Sequence, residues 1–307
     1  MKKFLHVSLL FLLLASLLAG CAAPASQIAN AIQMVDGLER SVSLDEPAQR
    51  IVSMAPSVTE LLFAVGAGDQ VVGRDSFSNY PESVLDLADI GGSMGDYSFE
   101  AITSLNPDLV IATEINTPEQ VKSLEDLGIT VYYLSNPVQF DDLYPCIETI
   151  GLLTGHEQQA AELTASLKTR VEKVTQTVAV SSYAPVVFYE LDGSDPAKPW
   201  TAGPGTFVDQ MIQMAGGINV GASMQDAWAQ ISLEQLLVAD PDLILLGDAA
   251  YGMTPDQVAA RNGWQTLKAI ENGNIYEFND DLASRPGPRL VDGLEELAKI
   301  LHPELFE

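Results

Sequence analysis

Hydrophobic and polar positions along this chain follow two different periods. Short apolar runs, among them residues 51–55, 129–134 and 186–191, predict buried strands. Between these runs, apolar residues recur every three or four positions, which predicts amphipathic helices. Residues 34–44 alternate around an Asp-Gly turn and predict a small β-hairpin. Because predicted strands alternate with predicted helices, the pattern indicates an α/β fold with parallel sheets in three-layer lobes.

A repeat organises the chain. Residues 98–112 (SFEAITSLNPDLVIA) recur in the same register as residues 232–246 (SLEQLLVADPDLILL), 134 positions later. Each copy predicts a short helix that begins after a serine, Ser98 or Ser232, and ends before a proline, followed by a buried strand. The repeat predicts two similar lobes, and a cleft between two lobes is a natural ligand site.

The residues between the two copies predict a helical connection. Residues 140–180 contain almost no helix breaker after Gly155, and their apolar residues step by three or four positions. One long amphipathic helix is therefore expected to join the lobes and to limit how far they hinge. Nearer the N-terminus, Ser57 and Glu60 have the spacing of a capping box at the start of another predicted helix.

The N-terminus has the features of an export signal. Lys2 and Lys3 precede an apolar stretch at residues 4–18, and Leu-Ala-Gly-Cys follows, ending at Cys21. This pattern is typical of a bacterial secretory signal with a lipobox, so Cys21 is expected to become the lipidated first residue. An ordinary signal with an incidental Cys21, or an uncleaved anchor, are the alternatives. Cys146 has no cysteine partner, so disulfides are not expected to stabilise the fold.

These features divide the chain into five predicted segments. They are a signal peptide (1–20), a tether (21–33), an N-terminal lobe with its leading hairpin (34–139), a connecting region with the long helix (140–182) and a C-terminal lobe (183–307).

Charge restricts the partners of this protein. The formal net charge is −27 and becomes −29 once Lys2 and Lys3 leave with the signal. Such a chain repels nucleic acid and anionic lipid surfaces, so neither is an expected partner. A polyanionic ligand would also bind poorly unless basic residues gathered around it.

The sequence offers little for metal binding or catalysis. Its histidines are His6, His156 and His302, which lie far apart, so no histidine-based metal site is expected and the last two are predicted to be surface or capping groups. Gly66 and Gly68 close a predicted helix, whereas a phosphate-binding loop opens one. No GxSxG motif is present. A carboxylate-only metal site or a pair of catalytic carboxylates stays open, but the spacing singles out neither, so an enzyme is not expected.

Two glutamates and several aromatic residues are the candidate functional groups. The repeat places Glu100 and Glu234 equivalently on the two lobes, where each either complements its helix dipole or forms half of a matched pair of anions for a two-fold partner carrying arginines. Aromatic residues also lie in predicted loops at strand ends, where they either stack on a large flat ligand or anchor the loops. These residues are Phe77, Tyr80, Tyr97, Trp200 and Trp228.

Several segments together resemble a known family. They are residues 50–73 (RIVSMAPSVTELLFAVGAGDQVVG), 80–81 (YP), 98–112, 201–207 (TAGPGTF), 228–246 and 285–289 (RPGPR). With these segments the chain resembles the periplasmic substrate-binding proteins of ABC importers for vitamin B12 and ferric siderophores, over nearly all of its mature length. The resemblance implies two Rossmann-like lobes joined by one long helix (class III), and a monomer that docks Glu100 and Glu234 onto the arginines of a permease dimer with its ATPase.

The resemblance also implies a set of ligand-binding positions. These are Pro56, Phe77, Met94, Tyr97, Trp200, Trp228 and Arg285. Met94 departs from the pattern, because the cobalamin-binding members have a tryptophan there.

A corrinoid is the first expected cargo of a protein with no permanent cofactor. A ferric siderophore, hydroxamate rather than catecholate, and haem are the alternatives. Catecholates carry a strong negative charge, and only Arg74, Arg285 and Arg289 are candidate basic groups here. Haem would require an axial tyrosine, for which Tyr80 and Tyr97 are the candidates. The expected location is extracytoplasmic, with a lipid anchor in the cell membrane.

Overall fold

The computed structural model describes residues 31–92 and 95–306. The chain enters through an antiparallel hairpin of β1 (Ile32–Val35) and β2 (Ser41–Leu44), in which Val35 pairs with Ser41. The hairpin therefore starts two residues earlier than residue 34, inside the expected tether. The predicted signal peptide, Cys21 and most of the tether lie outside the described residues.

Asp36 attaches the hairpin to the rest of the N-terminal lobe. Its carboxylate accepts hydrogen bonds from the backbone N–H groups of Leu38 (3.0 Å), Arg40 (3.0 Å) and Tyr133 (3.1 Å), and from the Arg40 guanidinium. Burial would raise the pKa of this carboxyl group, but Arg40 and the backbone donors hold it below its ordinary value. The hairpin is thus fixed by an ionised, buried side chain.

The N-terminal lobe contains one parallel sheet. Its strands are β3 (Ile51–Ser53), β4 (Val71–Arg74), β5 (Ala88–Asp89), β6 (Leu109–Ala112) and β7 (Val131–Tyr133), and its helices are α1 (Pro56–Ala64), α2 (Phe99–Ser104) and α3 (Pro118–Asp126). The strand order is β5-β4-β3-β6-β7, with every pair parallel. The capping box expected at Ser57 and Glu60 is wrong: Ala55 is the N-cap of α1 and no side chain caps it.

Two consecutive helices connect the lobes. The first, α4 (Phe140–Thr154), ends at Gly155, which has a positive φ of 75° that glycine adopts without strain. The second, α5 (Glu157–Val178), has 22 residues and is therefore about 33 Å long. Cys146 is buried on α4, and burial raises the pKa of its thiol to about 11, so it stays protonated at neutral pH.

The C-terminal lobe repeats the α/β architecture. Its strands are β8 (Val186–Glu190), β9 (Trp200–Ala202), β10 (Ile218–Asn219), β11 (Trp228–Gln230), β12 (Leu243–Leu246) and β13 (Ile275–Glu277). Its helices are α6 (Phe207–Met214), α7 (Leu233–Ala239), α8 (Pro255–Ala259), α9 (Lys268–Glu271), α10 (Asp281–Ser284) and α11 (Leu290–Leu301). Four strands form a parallel sheet in the order β10-β8-β12-β13, while β9 and β11 form a separate antiparallel ribbon.

Apolar residues cover both faces of each parallel sheet. Neighbouring strand residues point to opposite faces, so Ile51 and Val52 of β3 belong to different apolar clusters, as do Tyr189 and Phe188 of β8. The expected three-layer lobes with parallel sheets are therefore confirmed. The largest cluster runs through both lobes and includes Leu167 of α5. Because the lobes share this core, a large hinge motion would expose apolar surface and is disfavoured.

Candidate functional site

The loops after the strands of the two sheets meet each other. Arg285, which follows α10, donates to Asn79 Oδ1 (2.7 Å) in the loop after β4. Gln210 of α6 donates to the carbonyl oxygen of Val138 (2.7 Å), which follows β7. The carboxyl ends of both sheets therefore face one another, and this is the edge at which α/β proteins bind ligands.

A cluster of charges joins the lobes at this edge. Glu60 of α1 is only 4% exposed, and its carboxylate accepts hydrogen bonds from Arg289 Nε (2.9 Å) and Nη2 (2.5 Å) and from Arg285 Nη1 (3.3 Å). Asp281 lies 2.9 Å from Arg285 Nη2, and the Arg289 guanidinium lies 4.0 Å from the centre of the Tyr80 ring. We name these five residues the interlobe latch.

The interlobe latch changes the role of a predicted ligand residue. Arg285 was expected beside the ligand, but the structure uses its guanidinium to bind Glu60, Asp281 and Asn79. Sequence reasoning missed Glu60, because it interpreted this residue as a helix cap. The sequence of residues 285–289 could have indicated this contact. Two arginines flank a rigid Pro-Gly-Pro, which predicts a fixed basic loop that pairs with a carboxylate.

The predicted ligand residues of the N-terminal lobe differ in accessibility. Phe77 is exposed in the loop after β4, while Pro56 opens α1 and is partly exposed. The Tyr97 hydroxyl donates to the carbonyl oxygen of Met54 (2.9 Å) and accepts from Asn116 Nδ2 (2.8 Å). Burial raises the pKa of the Tyr97 phenol. Both hydrogen bonds of the Tyr97 hydroxyl are therefore made within the protein, and Tyr97 offers a ligand only its ring. Met94, the other predicted residue of this lobe, lies outside the described residues.

The two exposed tryptophans of the C-terminal lobe, Trp200 and Trp228, share one face of the β9–β11 ribbon. Trp228 pairs with Ala202 and Trp200 pairs with Gln230 in the antiparallel register. Residues two apart on a strand point to the same side, so the two indoles are diagonal neighbours, within reach of each other for large side chains. Both are exposed. The ribbon thus presents a pair of aromatic rings that the sequence alone did not place together.

Glu100 and Glu234 occupy equivalent, exposed positions. Each is the second residue of its helix, and each helix is capped by the predicted serine: Ser98 Oγ accepts from Ala101 N (3.2 Å) and Ser232 Oγ from Gln235 N (3.2 Å). Within residues 31–92 and 95–306, neither carboxylate has an ion-pair partner. Both are free to meet a cationic partner.

The surfaces around the two glutamates differ. Beside Glu234 is a cavity of about 370 Å³ that contacts apolar side chains, which we name the C-lobe groove; its lining includes Val220, Met224, Ile231 and Val238. Val238 is 83% exposed. At the matching position of the first copy of the repeat stands Ser104, whose hydroxyl bonds to the Ala101 carbonyl oxygen (2.8 Å). The repeat therefore conserves the acid but not the apolar surface beside it.

A partly open, mainly apolar cavity of about 270 Å³ lies between the interlobe latch and α5. Phe63, Leu163 and Leu167 contribute to its wall, and its charged residues Arg170 and Asp292 pair with each other at 2.6 Å. None of the predicted ligand aromatics Phe77, Tyr97, Trp200 and Trp228 lines it. We therefore place the candidate ligand site at the exposed aromatic residues, where the stacking groups are.

Histidines and carboxylates do not converge on a metal site. In the described part of the chain, no three His, Cys, Asp or Glu side chains are arranged to hold a metal ion. His302, expected at the surface or at a helix end, does follow α11 but is fully buried, and neither ring nitrogen has a hydrogen-bond partner among the described residues. His156 is the N-cap residue of α5, and its Nδ1 lies 3.0 Å from the Thr154 carbonyl oxygen.

Comparison with known proteins agrees with this architecture. The chain is 31% identical, over the full length of both proteins, to an uncharacterized ABC transporter substrate-binding lipoprotein, YvrC, of Bacillus subtilis. Among solved structures it is similar to the periplasmic heme-binding protein RhuT of Roseiflexus sp. RS-1 in apo form, with a TM-score of 0.74 and 29% identity, covering 84% of this chain and 99% of that one.

A second solved structure binds a different ligand. The periplasmic vitamin B12 binding protein BtuF of Vibrio cholerae superposes with a TM-score of 0.69 and 28% identity, covering 85% of this chain and 99% of that one. The sequence profile described as "Periplasmic binding protein" matches residues 51–282, three quarters of the chain. The repeat, the facing sheets and the helical connection, whose longer helix is α5, are those of the class III architecture. This chain therefore belongs to the periplasmic binding protein family.

Proposed function

We propose that this protein is a lipid-anchored receptor that captures a corrinoid outside the cytoplasm and delivers it to an ABC importer. Its relatives are substrate-binding proteins and not enzymes, which confirms the expectation that the chain is not an enzyme. A substrate-binding role in an ABC importer of the vitamin B12, haem and siderophore class follows from the family. Three parts of the proposal go beyond what the family implies. They are the choice of a corrinoid, the lipid anchor and the permease contacts.

One observation supports the choice of cargo: the arginines near the carboxyl edges are already paired. Arg285 and Arg289 bind Glu60, and Arg74 donates to Asp89 Oδ2 (2.9 Å) and to the Asp75 carbonyl oxygen (2.9 Å). A polyanionic ferric catecholate would have to break these pairs to be neutralised. A large ligand of low charge requires only the exposed rings, and a corrinoid fits that chemistry.

The two tyrosines considered for haem differ in availability. The Tyr97 hydroxyl is bonded to Met54 and Asn116 and would have to break these hydrogen bonds to bind iron. Tyr80 is 46% exposed with its ring under the Arg289 guanidinium, so it is the candidate axial tyrosine if the cargo is haem. A ferric hydroxamate, which carries less charge than a catecholate, fits the same exposed rings and is the second candidate cargo.

Titration calorimetry with cyanocobalamin tests the cargo. Trp228→Ala is expected to weaken binding about 10-fold or more, because an aromatic ring that stacks on a ligand contributes at least about 1–2 kcal/mol. Tyr183→Ala is the matched control: Tyr183 is also an exposed aromatic residue, but it precedes β8 at the opposite edge of the sheet. If the protein binds a ferric hydroxamate but not cyanocobalamin, the ferric hydroxamate replaces the corrinoid as the proposed cargo.

The free carboxylates of Glu100 and Glu234 support a docking role toward the arginines of a permease dimer. The double variant Glu100→Ala, Glu234→Ala should abolish stimulation of the importer ATPase and leave cargo affinity unchanged. Glu119 and Asp256 are the matched controls, since both are exposed acids at the second position of their helices, α3 and α8. A loss of cargo affinity in the double variant, or an equal loss of ATPase stimulation in the control pair, would contradict docking by these residues.

The lipid anchor depends on Cys21. No helix in the described ranges is long and apolar enough to cross a bilayer. Cys21→Ser removes the thiol that would carry the lipid, so this variant should move from the membrane fraction to the soluble fraction of the producing bacterium, where it is expected to run as a monomer on gel filtration. A variant that stays in the membrane fraction would indicate an uncleaved N-terminal anchor instead.

A further inference from the structure

A second cavity lies at the carboxyl edge of the C-terminal lobe. It has a volume of about 370 Å³ and lies where β8 and β12 end, beside the exposed turn that follows β12. We name it the Asp248 cavity; its lining residues are Leu191, Asp192, Ser194, Asp248, Tyr251 and Met253. None of these residues was among the positions expected to bind a ligand.

Asp248, in the wall of this cavity, holds an unused hydrogen-bond acceptor. The residue is 6% exposed, and its Oδ2 accepts from the backbone N–H of Gly193 (2.9 Å). Its Oδ1 is buried and has no hydrogen-bond partner among the described residues. A buried carboxylate oxygen without a donor is destabilising, so a donor brought by a ligand would be bound with a gain in free energy.

The nearest arginine does not satisfy Asp248. Arg261 donates to Glu190 Oε1 (2.9 Å) and to the Gly193 carbonyl oxygen (3.2 Å), and its guanidinium lies over the Trp264 ring. Burial raises the pKa of Asp248, and the negative Asp192 at the same cavity adds to this, while the hydrogen bond from Gly193 and the positive charge of Arg261 offset part of the rise. The Asp248 cavity therefore offers acceptors and negative charge, and it lacks a free cation.

Backbone hydrogen bonds place the aromatic ribbon next to residues that line the Asp248 cavity. Trp200 N donates to the Asp192 carbonyl oxygen (2.9 Å), and Leu191 N donates to the Trp200 carbonyl oxygen (2.9 Å). Tyr251, on the turn after β12, is 91% exposed at the rim of the cavity. A ligand stacked on Trp200 would thus lie next to residues that line the Asp248 cavity.

We propose that the Asp248 cavity is a cargo subsite that binds an amide or hydroxyl hydrogen-bond donor on the edge of the ligand and repels carboxylates. This subsite rests on the proposed function and makes it more specific. The peripheral carboxamides of a corrinoid supply such donors, whereas the propionates of haem would bring negative charge toward Asp192 and Asp248. Because Oδ1 is covered, the proposal requires the turn of Ala249–Tyr251 to shift when the donor enters.

Calorimetry with cyanocobalamin and with its monocarboxylic acid, in which one peripheral carboxamide is hydrolysed, tests the subsite. Asp248→Asn should weaken cyanocobalamin binding about 10-fold or more, because a hydrogen bond to a charged group is lost. The wild-type protein should bind the monoacid less tightly than cyanocobalamin, and this preference should shrink in Asp248→Asn. Asp256→Asn, which removes the same charge from an exposed position on α8, should change neither affinity.

Each outcome separates the subsite from the choice of cargo. Equal affinity of wild-type protein and Asp248→Asn for cyanocobalamin would overturn the subsite and leave the cargo intact, and it is the result expected if only water occupies the cavity. If wild-type protein binds no cyanocobalamin, the proposed cargo is wrong. The subsite then predicts that Asp248→Asn binds haem more tightly than wild-type protein does. Equal haem affinity of the two proteins overturns the subsite. Should Asp248→Asn fail to fold by circular dichroism, Tyr251→Ala at the exposed rim should weaken cyanocobalamin binding, and an unchanged affinity refutes the subsite.

Discussion

Replacing Glu60 by glutamine should destabilise the protein by separating the charges that join its lobes. Glu60→Gln keeps the shape of the side chain but removes the charge that Arg285 and Arg289 share. The side chains of the two arginines are only 15% and 12% exposed, so water cannot fully replace the lost carboxylate. The perturbation therefore acts at the contact between α1 and the segment that precedes α11.

The structure sets the size of this effect. Breaking a buried ion pair by removing one partner costs about 3–5 kcal/mol. Asp281 stays close to both arginines, at 2.9 Å from Arg285 and 3.9 Å from Arg289, so the lower end of that range, about 3 kcal/mol, is expected. For a chain of this size that loss corresponds to a fall in the melting temperature of roughly 6 °C or more.

Urea unfolding followed by circular dichroism measures the loss, and a double-mutant cycle with Arg289→Gln measures the coupling. The matched control is Asp126→Asn, which removes a carboxylate from the exposed Lys122–Asp126 pair and should cost less than about 0.5 kcal/mol. A loss of under about 1 kcal/mol for Glu60→Gln, or simple additivity with Arg289→Gln, would refute the interlobe latch as a stabilising contact.

Three further predictions concern other parts of the molecule. His302→Leu should raise the free energy of unfolding by about 1 kcal/mol, because it removes two buried ring nitrogens that have no hydrogen-bond partner among the described residues. Destabilisation in thermal unfolding would contradict this prediction. Asp36→Asn should destabilise the protein at neutral pH, and the difference from wild type should shrink as the pH falls below about 4. The reason is that a carboxyl group whose pKa is lower in the folded state than in the unfolded state stabilises the folded protein at pH values above its unfolded pKa. This contribution is lost as the pH falls through the folded pKa. A stability difference between wild type and Asp36→Asn that stays constant in acid titrations would refute this prediction. Val238→Asp in the C-lobe groove should reduce ATPase stimulation, whereas Ser104→Asp at the matching position of the other lobe should reduce it less; equal effects would show that the groove has no special role in docking.

Short-range features of the fold could be predicted because they depend on neighbours in the sequence. Ser98 and Ser232 cap the helices expected of them, since a capping hydroxyl reaches only two or three residues along the chain. The stretch after Gly155 forms the long helix α5, because its apolar residues face one side. Glu60 shows the limit of such reasoning: its spacing from Ser57 suits a capping box, but a stronger partner lies 229 residues away at Arg289.

The candidate site was only partly accessible to sequence reasoning. Phe77 lies in the expected loop and is exposed, but Trp200 and Trp228, also expected in loops, are the first residues of strands β9 and β11, and their pairing on one ribbon depends on the register of those strands. Asp248 had a signal, because it lies two residues after the end of a buried strand, where ligand-facing polar residues of α/β proteins often lie. Its unpartnered oxygen had none, since hydrogen-bond satisfaction depends on groups from other strands.

The amino-acid sequence alone determined the repeat, the alternation of strands and helices, the family and the positions of Glu100 and Glu234, because each of these depends on periodicity or on local motifs. The tertiary structure decided that Arg285 bridges the lobes, that an apolar groove lies beside Glu234, and that Asp248 keeps an acceptor without a hydrogen-bond partner among the described residues. Charges and hydrogen bonds between residues far apart in the chain are set by which surfaces pack together. A pattern along one segment carries no information about the partner that another segment will bring.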